Sequence, residues 1–455
     1  MSRAASKLYG AGLTDASITR AITAPPLDGL GPRWAVLLAV GATGALVLAW
    51  ALVETLRVGV GLWGVQVPVG WGLAIVNFVW WIGIGHAGTL ISAILLLMHQ
   101  QWRTSINRFA ESMTLFAVAC AGLFPLLHMG RPEYFYWLLP YPSTTQMWPQ
   151  FRSPLVWDAF AVTTYATVSL LFWYVGLVPD LAVLRDRAKR RVVRMIYGVL
   201  ALGWRGSSRH WHRHQQLYRL FAGLATPLVV SVHTVVSFDF AVGIVPGWHS
   251  TVFPPFFVAG AIYSGFAMVI TIAIPLRWGL GLQDFVRPRH FDLMAKVLLA
   301  SGWVVGYGYA VELFVGWYSG GKYELWIVER KLVGDLALVF WATVLCNVAL
   351  PQALWSKRVR ASLPALFALS IVINIGMWLE RYLIVVGSLE RDFVPSAWRP
   401  YWPTIYDWAI YLGTMGLFVF LFALLVRFVP VVSMAEMREL IREPIDPADR
   451  DEGAP

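Results

Sequence analysis

The sequence predicts an all-α integral membrane protein with about ten transmembrane helices, and three observations lead there. Hydrophobic residues make up 58% of the 455 residues and charged residues only 14%, against roughly 45–50% and 25% in soluble domains. Mean hydropathy is +0.61. The apolar residues gather in windows of about 20, the length of a helix crossing the hydrocarbon core, and not in the windows of about 10 alternating residues that barrel strands leave. A soluble enzyme, a nucleic-acid-binding domain and a secreted disulfide scaffold are excluded. The net charge of +10 is better explained by loops held on the cytoplasmic side than by nucleic acid.

Ten windows qualify as spans: about 35–54, 71–97, 108–128, 155–178, 219–240, 253–276, 291–317, 332–355, 362–386 and 404–427. Residues 1–34 lack the charged-then-apolar layout of a cleaved signal peptide and are expected to be a cytoplasmic tail, with the mature chain starting near Met1. A peripheral helix and outer loop follow to 70, a first bundle over 71–240, a second over 241–386, an outer loop and tenth helix over 387–430, and a C-terminal tail over 431–455. With Arg108 counted in the loop before span three, 25 of the 36 lysines and arginines fall on the side of the two termini and 8 on the other, which makes both termini cytoplasmic.

The stretch Arg185–Arg213 supplies most of that bias and contains His210, His212 and His214. Their alternate spacing suits a strand, and the surrounding arginines would repel a metal ion, so an interfacial segment facing anionic lipid is the expectation. On the opposite side, residues 129–154 carry Pro132, Pro140, Pro142, Pro149 and Pro154 with Tyr134, Phe135, Tyr136, Trp137, Tyr141 and Trp148. This loop should be a stiff aromatic shelf that docks a partner.

Polar groups inside spans are costly and therefore candidates for function. They are Asn77, His86, His128, Asp158, His233, Asp239, Glu312, Asp335, Asn347, Asn374, Glu380 and Arg381. Span three runs outward to His128 and span four starts at that face with Asp158, so the two lie at similar depth. Such a pair suits quinol oxidation, which releases two protons and needs acceptors or relays for them; helix capping explains the same positions equally simply. His86 stands among Gly83, Gly85, Ala87 and Gly88, which permit close helix approach, and serves as a haem ligand, a quinone or proton-relay residue, or an interhelical hydrogen-bonder. Only two cysteines, Cys120 and Cys346, are present, too few for an iron–sulfur cluster, and no Cys-x-x-Cys-His exists for covalent haem.

The run Trp80-Trp81-Ile82-Gly83-Ile84-Gly85-His86-Ala87-Gly88-Thr89-Leu90-Ile91-Ser92 resembles the NrfD-type family of polysulfide-reductase membrane subunits, and within it the larger quinol-binding subunit of bacterial alternative complex III. His128-Met-Gly-Arg131-Pro132, Ser153-Pro-Leu-Val-Trp-Asp158, Asn374-Ile-Gly-Met-Trp-Leu-Glu380-Arg381-Tyr382 and Ser388-Leu-Glu-Arg-Asp-Phe-Val-Pro395 extend the resemblance in order over most of residues 70–430. It implies two four-helix bundles, spans two to five and six to nine, with spans one and ten peripheral. It further implies a quinone pocket near the outer face of the first bundle, with His128 and Asp158 as catalytic groups and Trp80, Trp81, His86 and Arg131 lining or supporting it. The cofactor would be a quinone, menaquinol by preference, and the chain itself would bind neither haem nor an iron–sulfur cluster. Electrons would pass to an extracytoplasmic iron–sulfur subunit and on to c-type cytochrome subunits. A second NrfD-like membrane subunit and lipids complete the expected partners, in a bacterial inner membrane.

The second bundle has no histidine matching His128, and its carboxylates, with His233 and Asp239 in the first, are candidates for a proton route: Glu312, Asp335 and Glu380, with Arg381 beside them. A static Glu–Arg pair that fixes helix packing is the alternative. A quinone-reducing subunit of another oxidoreductase, or a non-redox secondary transporter, would carry similar bundles and intramembrane carboxylates.

Overall fold

The computed structural model describes residues 8–10, 12–138 and 151–442. Pro140, Tyr141, Pro142, Trp148 and Pro149 of the expected aromatic shelf lie outside the described residues, as do the two ends of the chain. Within the described residues the secondary structure is helical, and ten helices are long and apolar enough to cross a membrane.

The spans are α2 (Pro32–Val58), α3 (Leu73–Leu97), α4 (Asn107–His128), α5 (Pro154–Arg187), α7 (Ser208–Ala241), α8 (Phe253–Gly279), α9 (Pro288–Tyr318), a segment beginning as α11 (Ala337–Val344), α13 (Leu363–Leu389) and α14 (Ile405–Phe428). Helices α1 (Asp15–Asp28), α6 (Arg191–Leu200), α10 (Lys322–Leu332), α12 (Lys357–Ala361) and α15 (Met434–Arg442) lie between or beyond them. Five spans, α2, α5, α8, α9 and α13, open with proline in the first turn, where its missing N–H costs nothing and its fixed φ suits the helix.

Helices α3, α4, α5 and α7 pack together, as do α8, α9, α11 and α13, while α2 pairs with α14 at the side. That crossing is close because glycines face one another: a Cβ added at Gly416 would stand 2.4 Å from the Gly44 Cα, the small-residue contact expected of helices in lipid. Helix α3 is the hub. All of its residues from Leu73 to Ala93 are buried, and it touches both four-helix groups.

Ten crossings bring α1 and α15 to one face of the molecule, and alternation places the ends carrying His128, Asp158, Asp239 and Glu312 at the other. The segments expected as tails contain packed helices. Ile18 and Ile22 of α1 and Met434 and Met437 of α15 are buried, α1 lies against α14 and α15, and Arg438 and Arg442 bond Thr19 and Asp15.

Three local departures from the sequence reading have physical causes. The basic stretch is no loop: α5 runs on to Arg187 and α7 starts at Ser208, with the amphipathic α6 between them exposing Val192, Met195, Ile196 and Val199. His210, His212 and His214 are therefore on a helix and not a strand, and Trp204 packs on His210 and His214. The eighth span starts at Ala337 instead of 332, and passes through a π turn (Leu345–Ala349) and a 3-10 stretch (Leu350–Trp355). Pro351 has no N–H for the Asn347 carbonyl four residues back, and the Tyr263 hydroxyl donates to that oxygen instead, at 3.0 Å.

Candidate functional site

The last turn of α7 assembles the outer end of the first bundle. Its residues Phe238, Asp239 and Phe240 are successive, so at 100° per residue they fan out toward three neighbours. Phe238 packs edge-on against Trp157 of α5, with ring centroids 6.4 Å apart. Asp239 comes within hydrogen-bonding reach of Asp158 on α5. Phe240 packs on Trp248 at 5.0 Å and on Trp71 at 6.1 Å, and Trp71 meets the His128 ring edge-on at 5.9 Å. Phe240, the residue after Asp239, is thus joined through Trp71 to the His128 ring by aromatic contacts.

Asp158 is buried, and one carboxyl oxygen of each aspartate, Oδ1, is buried without a hydrogen-bond partner. Among the described residues no salt bridge reaches either, whereas Glu111, Asp180, Asp335 and Glu380 each have an arginine within 4 Å. Two carboxyl groups that face one another repel when both are charged, so the pair is an arrangement suited to binding a proton. His128 and Asp158 make no direct hydrogen bond among the described residues; Asp239 is the partner the structure gives Asp158.

Deeper in the bundle His86 of α3 meets His233 of α7, Nδ1 to Nδ1 at 2.7 Å, and both rings are fully buried. The Tyr165 ring stands 4.5 Å from His86, and its hydroxyl donates to the Gly85 carbonyl at 2.8 Å. Both Nε2 atoms lack partners. Since a neutral imidazole carries one proton, one Nδ1 donates and the other accepts. Beyond His233, the Phe257 ring lies at 5.9 Å and carries the Arg381 guanidinium 4.2 Å from its centre.

Trp80 and Trp81 face elsewhere. Their indole nitrogens donate to the Asn374 carbonyl of α13 at 3.1 Å and to the Thr414 hydroxyl of α14 at 3.0 Å, so they fix α3 to the second bundle and to the peripheral pair. Arg131 is exposed just beyond the end of α4.

Each of the three candidate carboxylates of the second bundle is paired. Glu312 bonds Lys331. Asp335 takes Arg330 at 2.9 Å and Arg391 at 2.8 Å. Glu380 lies 2.9 Å from Arg381 and accepts from the Tyr309 hydroxyl at 2.5 Å. Asp335 lies outside the spans: partial burial opposes its ionised form, but the bonds to Arg330 and the charges of Arg330 and Arg391 outweigh that and hold its pKa below the usual carboxylate value.

Arg108, Glu111 and Asp180 form a buried cluster that the sequence reading misses. The Arg108 guanidinium approaches Asp180 at 3.3 Å and Glu111 at 3.8 Å, and Ser92 and Tyr218 donate to Glu111 at 2.5 and 2.9 Å. Arg108 stands at the expected edge of span three and Asp180 beyond the expected end of span four, so both count as interfacial charges. The signal that could have found them is Arg108 and Glu111 at i, i+3 on one face of an otherwise apolar span. Among the described residues no group of three or more metal-ligating side chains occurs.

A polytopic helical membrane protein is the class that this fold and these buried polar groups define. Residues 63–391 match the family described as polysulphide reductase, NrfD, and the chain belongs to that family. It is 26% identical over 371 residues to a putative dimethyl sulfoxide reductase membrane subunit of Halobacterium salinarum, covering 78% of this chain and 80% of the relative. A selenate reductase subunit of Mesobacillus selenatarsenatis is 23% identical, covering 80% and 86%. An Hdr-like menaquinol oxidoreductase integral membrane subunit of Archaeoglobus fulgidus is 20% identical, covering 84% and 90%. The chain is thus a membrane subunit of the kind that oxidoreductase complexes carry.

Proposed function

We propose that the chain is the quinol-oxidising membrane subunit of a respiratory oxidoreductase, with the site at the outer end of the first bundle. The observation that carries this reading is the Asp158–Asp239 pair: two buried carboxyl oxygens without partners, no salt bridge to either aspartate among the described residues, and an aromatic contact chain from the neighbouring Phe240 through Trp71 to His128. Hydroquinone hydroxyls are donors and need acceptors, so these residues fit the group. Bound quinol supplies two electrons and two protons. Asp158 and Asp239 would accept hydrogen bonds from it and take up protons, His128 would provide a second acceptor across the Trp71 and Phe240 rings, and burial would keep bulk water from the carboxyl pair. Arg131 belongs to the rim of this site and His86 to its support, while Trp80 and Trp81 act on it only through the placement of α3.

Menaquinol is the proposed quinol. The assembly we propose is that of alternative complex III: an iron–sulfur subunit docked on the face carrying His128, c-type cytochrome subunits, and a second NrfD-like membrane subunit. The names of the dimethyl sulfoxide and selenate reductase relatives favour a second reading, in which the same site serves a terminal reductase. The excess of basic residues on the α1 and α15 face supports cytoplasmic termini in a bacterial inner membrane, and α6 would rest on anionic lipid. The cation-paired carboxylates of the second bundle are read as packing elements.

Purification of the native complex, with its constituent polypeptides, bound quinone and quinol oxidation recorded, tests all of this. Co-purifying cytochrome supports the complex III assembly, and a catalytic reductase subunit supports the alternative. Substrate uptake by the isolated chain, with neither quinone nor a redox partner, would replace both by a transporter.

A further inference from the structure

The buried cluster around Glu111 is sealed from lipid, yet it lies just behind a cavity open to the α15 face. The cavity has a volume of about 320 Å³ and is bordered by Arg103, His214, Gln215, Tyr218 and Glu436. A second cavity of about 640 Å³ shares Trp211, Gln215, Ala435 and Glu439 with it. Tyr218 is the wall between cavity and cluster: it borders the first cavity, and its hydroxyl donates to Glu111 Oε1 at 2.9 Å. Glu111 Oε2, although fully buried, has no hydrogen-bond partner. A sealed structural ion pair has no use for a cavity bordered by charged and polar side chains at its back, and the nearest cation to Oε2, Arg108 Nη1, stands at 3.8 Å, outside hydrogen-bond reach.

From Glu111 polar groups continue into the bundle. Ser92 donates to Glu111 at 2.5 Å. One turn along α3, Thr89 donates to Ser169 at 3.1 Å, and its N–H is bonded by Thr114 at 2.8 Å. Thr114 and Tyr165 both donate to the Gly85 carbonyl, at 2.7 and 2.8 Å. His86 follows Gly85 on α3, its ring 4.5 Å from that of Tyr165, and is joined to His233.

We propose that the cavity, Tyr218 and Glu111 form a proton-uptake site on the α15 face, which feeds the hydroxyl-lined path toward the His86–His233 pair. A proton from cavity water passes to the Tyr218 oxygen as the proton of Tyr218 moves to Glu111 Oε1. Tyr218 is left unchanged and Glu111 neutral, one hydrogen bond from Ser92. The charges around Glu111 come from every side: Arg108 on its own helix, Arg103 before it, Asp180 on α5 and Glu436 on α15, which binds Arg103 at 2.7 Å. Arg108 stabilises the ionised form and Asp180 offsets that arginine, so the cluster tolerates either state of Glu111. The inference rests on the geometry of the first bundle and not on the quinone assignment.

The test is pH-jump infrared spectroscopy of the purified full-length chain, following the carbonyl stretch of protonated carboxyl groups. A band that is absent from E111Q and displaced in E111D identifies Glu111, so the assignment survives if one of the two fails to fold. In wild type this band should respond within the mixing time. Y218F keeps the ring stacked on Phe172 at 4.7 Å but removes the relay, and should slow the response by about tenfold or more. Q215C carrying a bulky maleimide, which fills the cavity, should do the same, while the reagent leaves wild type unaffected. Absence of any Glu111 band over the pH range in which the protein is stable, or an unchanged rate in both Y218F and the plugged variant, overturns the proposal. Quinol oxidation plays no part in the readout, so failure of the quinone assignment would not be confused with failure here.

Discussion

His86 and His233 share one hydrogen bond between their Nδ1 atoms, 2.7 Å long, at the centre of the first bundle. The bond joins α3, the hub of the molecule, to α7, whose last turn carries Asp239. Replacing either histidine by leucine leaves a buried ring nitrogen without its partner, and each single variant should lose about 1–3 kcal/mol. Replacing both with apolar residues of similar volume should cost less than the two single losses together. Thermal unfolding of the four proteins measures the coupling, and strictly additive losses would contradict it.

Asp239→Asn should lower quinol oxidation by the assembled complex as strongly as Asp158→Asn, by about 10²–10⁴. His128→Ala should also impair turnover. The equivalence of the two aspartates is the diagnostic part, because a helix-capping role for Asp158 gives no reason for Asp239 to matter. Near-normal turnover in all three variants with quinone still bound would remove the site from this end of the bundle.

Glu380→Gln leaves Arg381 without its buried counter-charge, and loss of one partner of such a pair costs about 3–5 kcal/mol. The variant should unfold at lower temperature. In liposomes containing the assembled complex, quinol oxidation and the accompanying pH change should stay in their wild-type ratio. A fall in proton movement with oxidation intact would make the second bundle a proton route instead.

Asp335 ties α10 to the end of α13 through Arg330 and Arg391. Its pKa is depressed in the folded protein, so its contribution is fully present above the unfolded carboxylate pKa near 3.9 and is lost as pH falls through the lower folded value. Hydrogen exchange in α10 should therefore accelerate in acid below about pH 4 in the wild type. Asp335→Asn should show the faster exchange already at neutral pH. Identical exchange in the two proteins at pH 7 would assign the docking of α10 to other contacts, such as Trp326 stacked on Trp398 at 5.0 Å.

Sequence alone determined that the chain crosses the membrane ten times, because a span must satisfy its backbone internally and needs about 20 apolar residues to do so. It also singled out His86, His128, Asp158, His233 and Asp239, since an ionisable group in lipid is conspicuous by its cost. Which of them meet was not legible. Asp158 and Asp239 are 81 positions apart and His86 and His233 are 147, and those meetings depend on how α5 and α3 are rotated against α7. Trp80 and Trp81 illustrate the same limit: the family resemblance suggested that they line or support the outer site, and the helical turn points their nitrogens at α13 and α14. Arg108 and Asp180 were concealed because a charge at the edge of an apolar window is ordinarily solvated. Only tertiary structure decided otherwise, by continuing α5 past Asp180 and laying α15 across the opening, so that charges counted as interfacial are buried around Glu111.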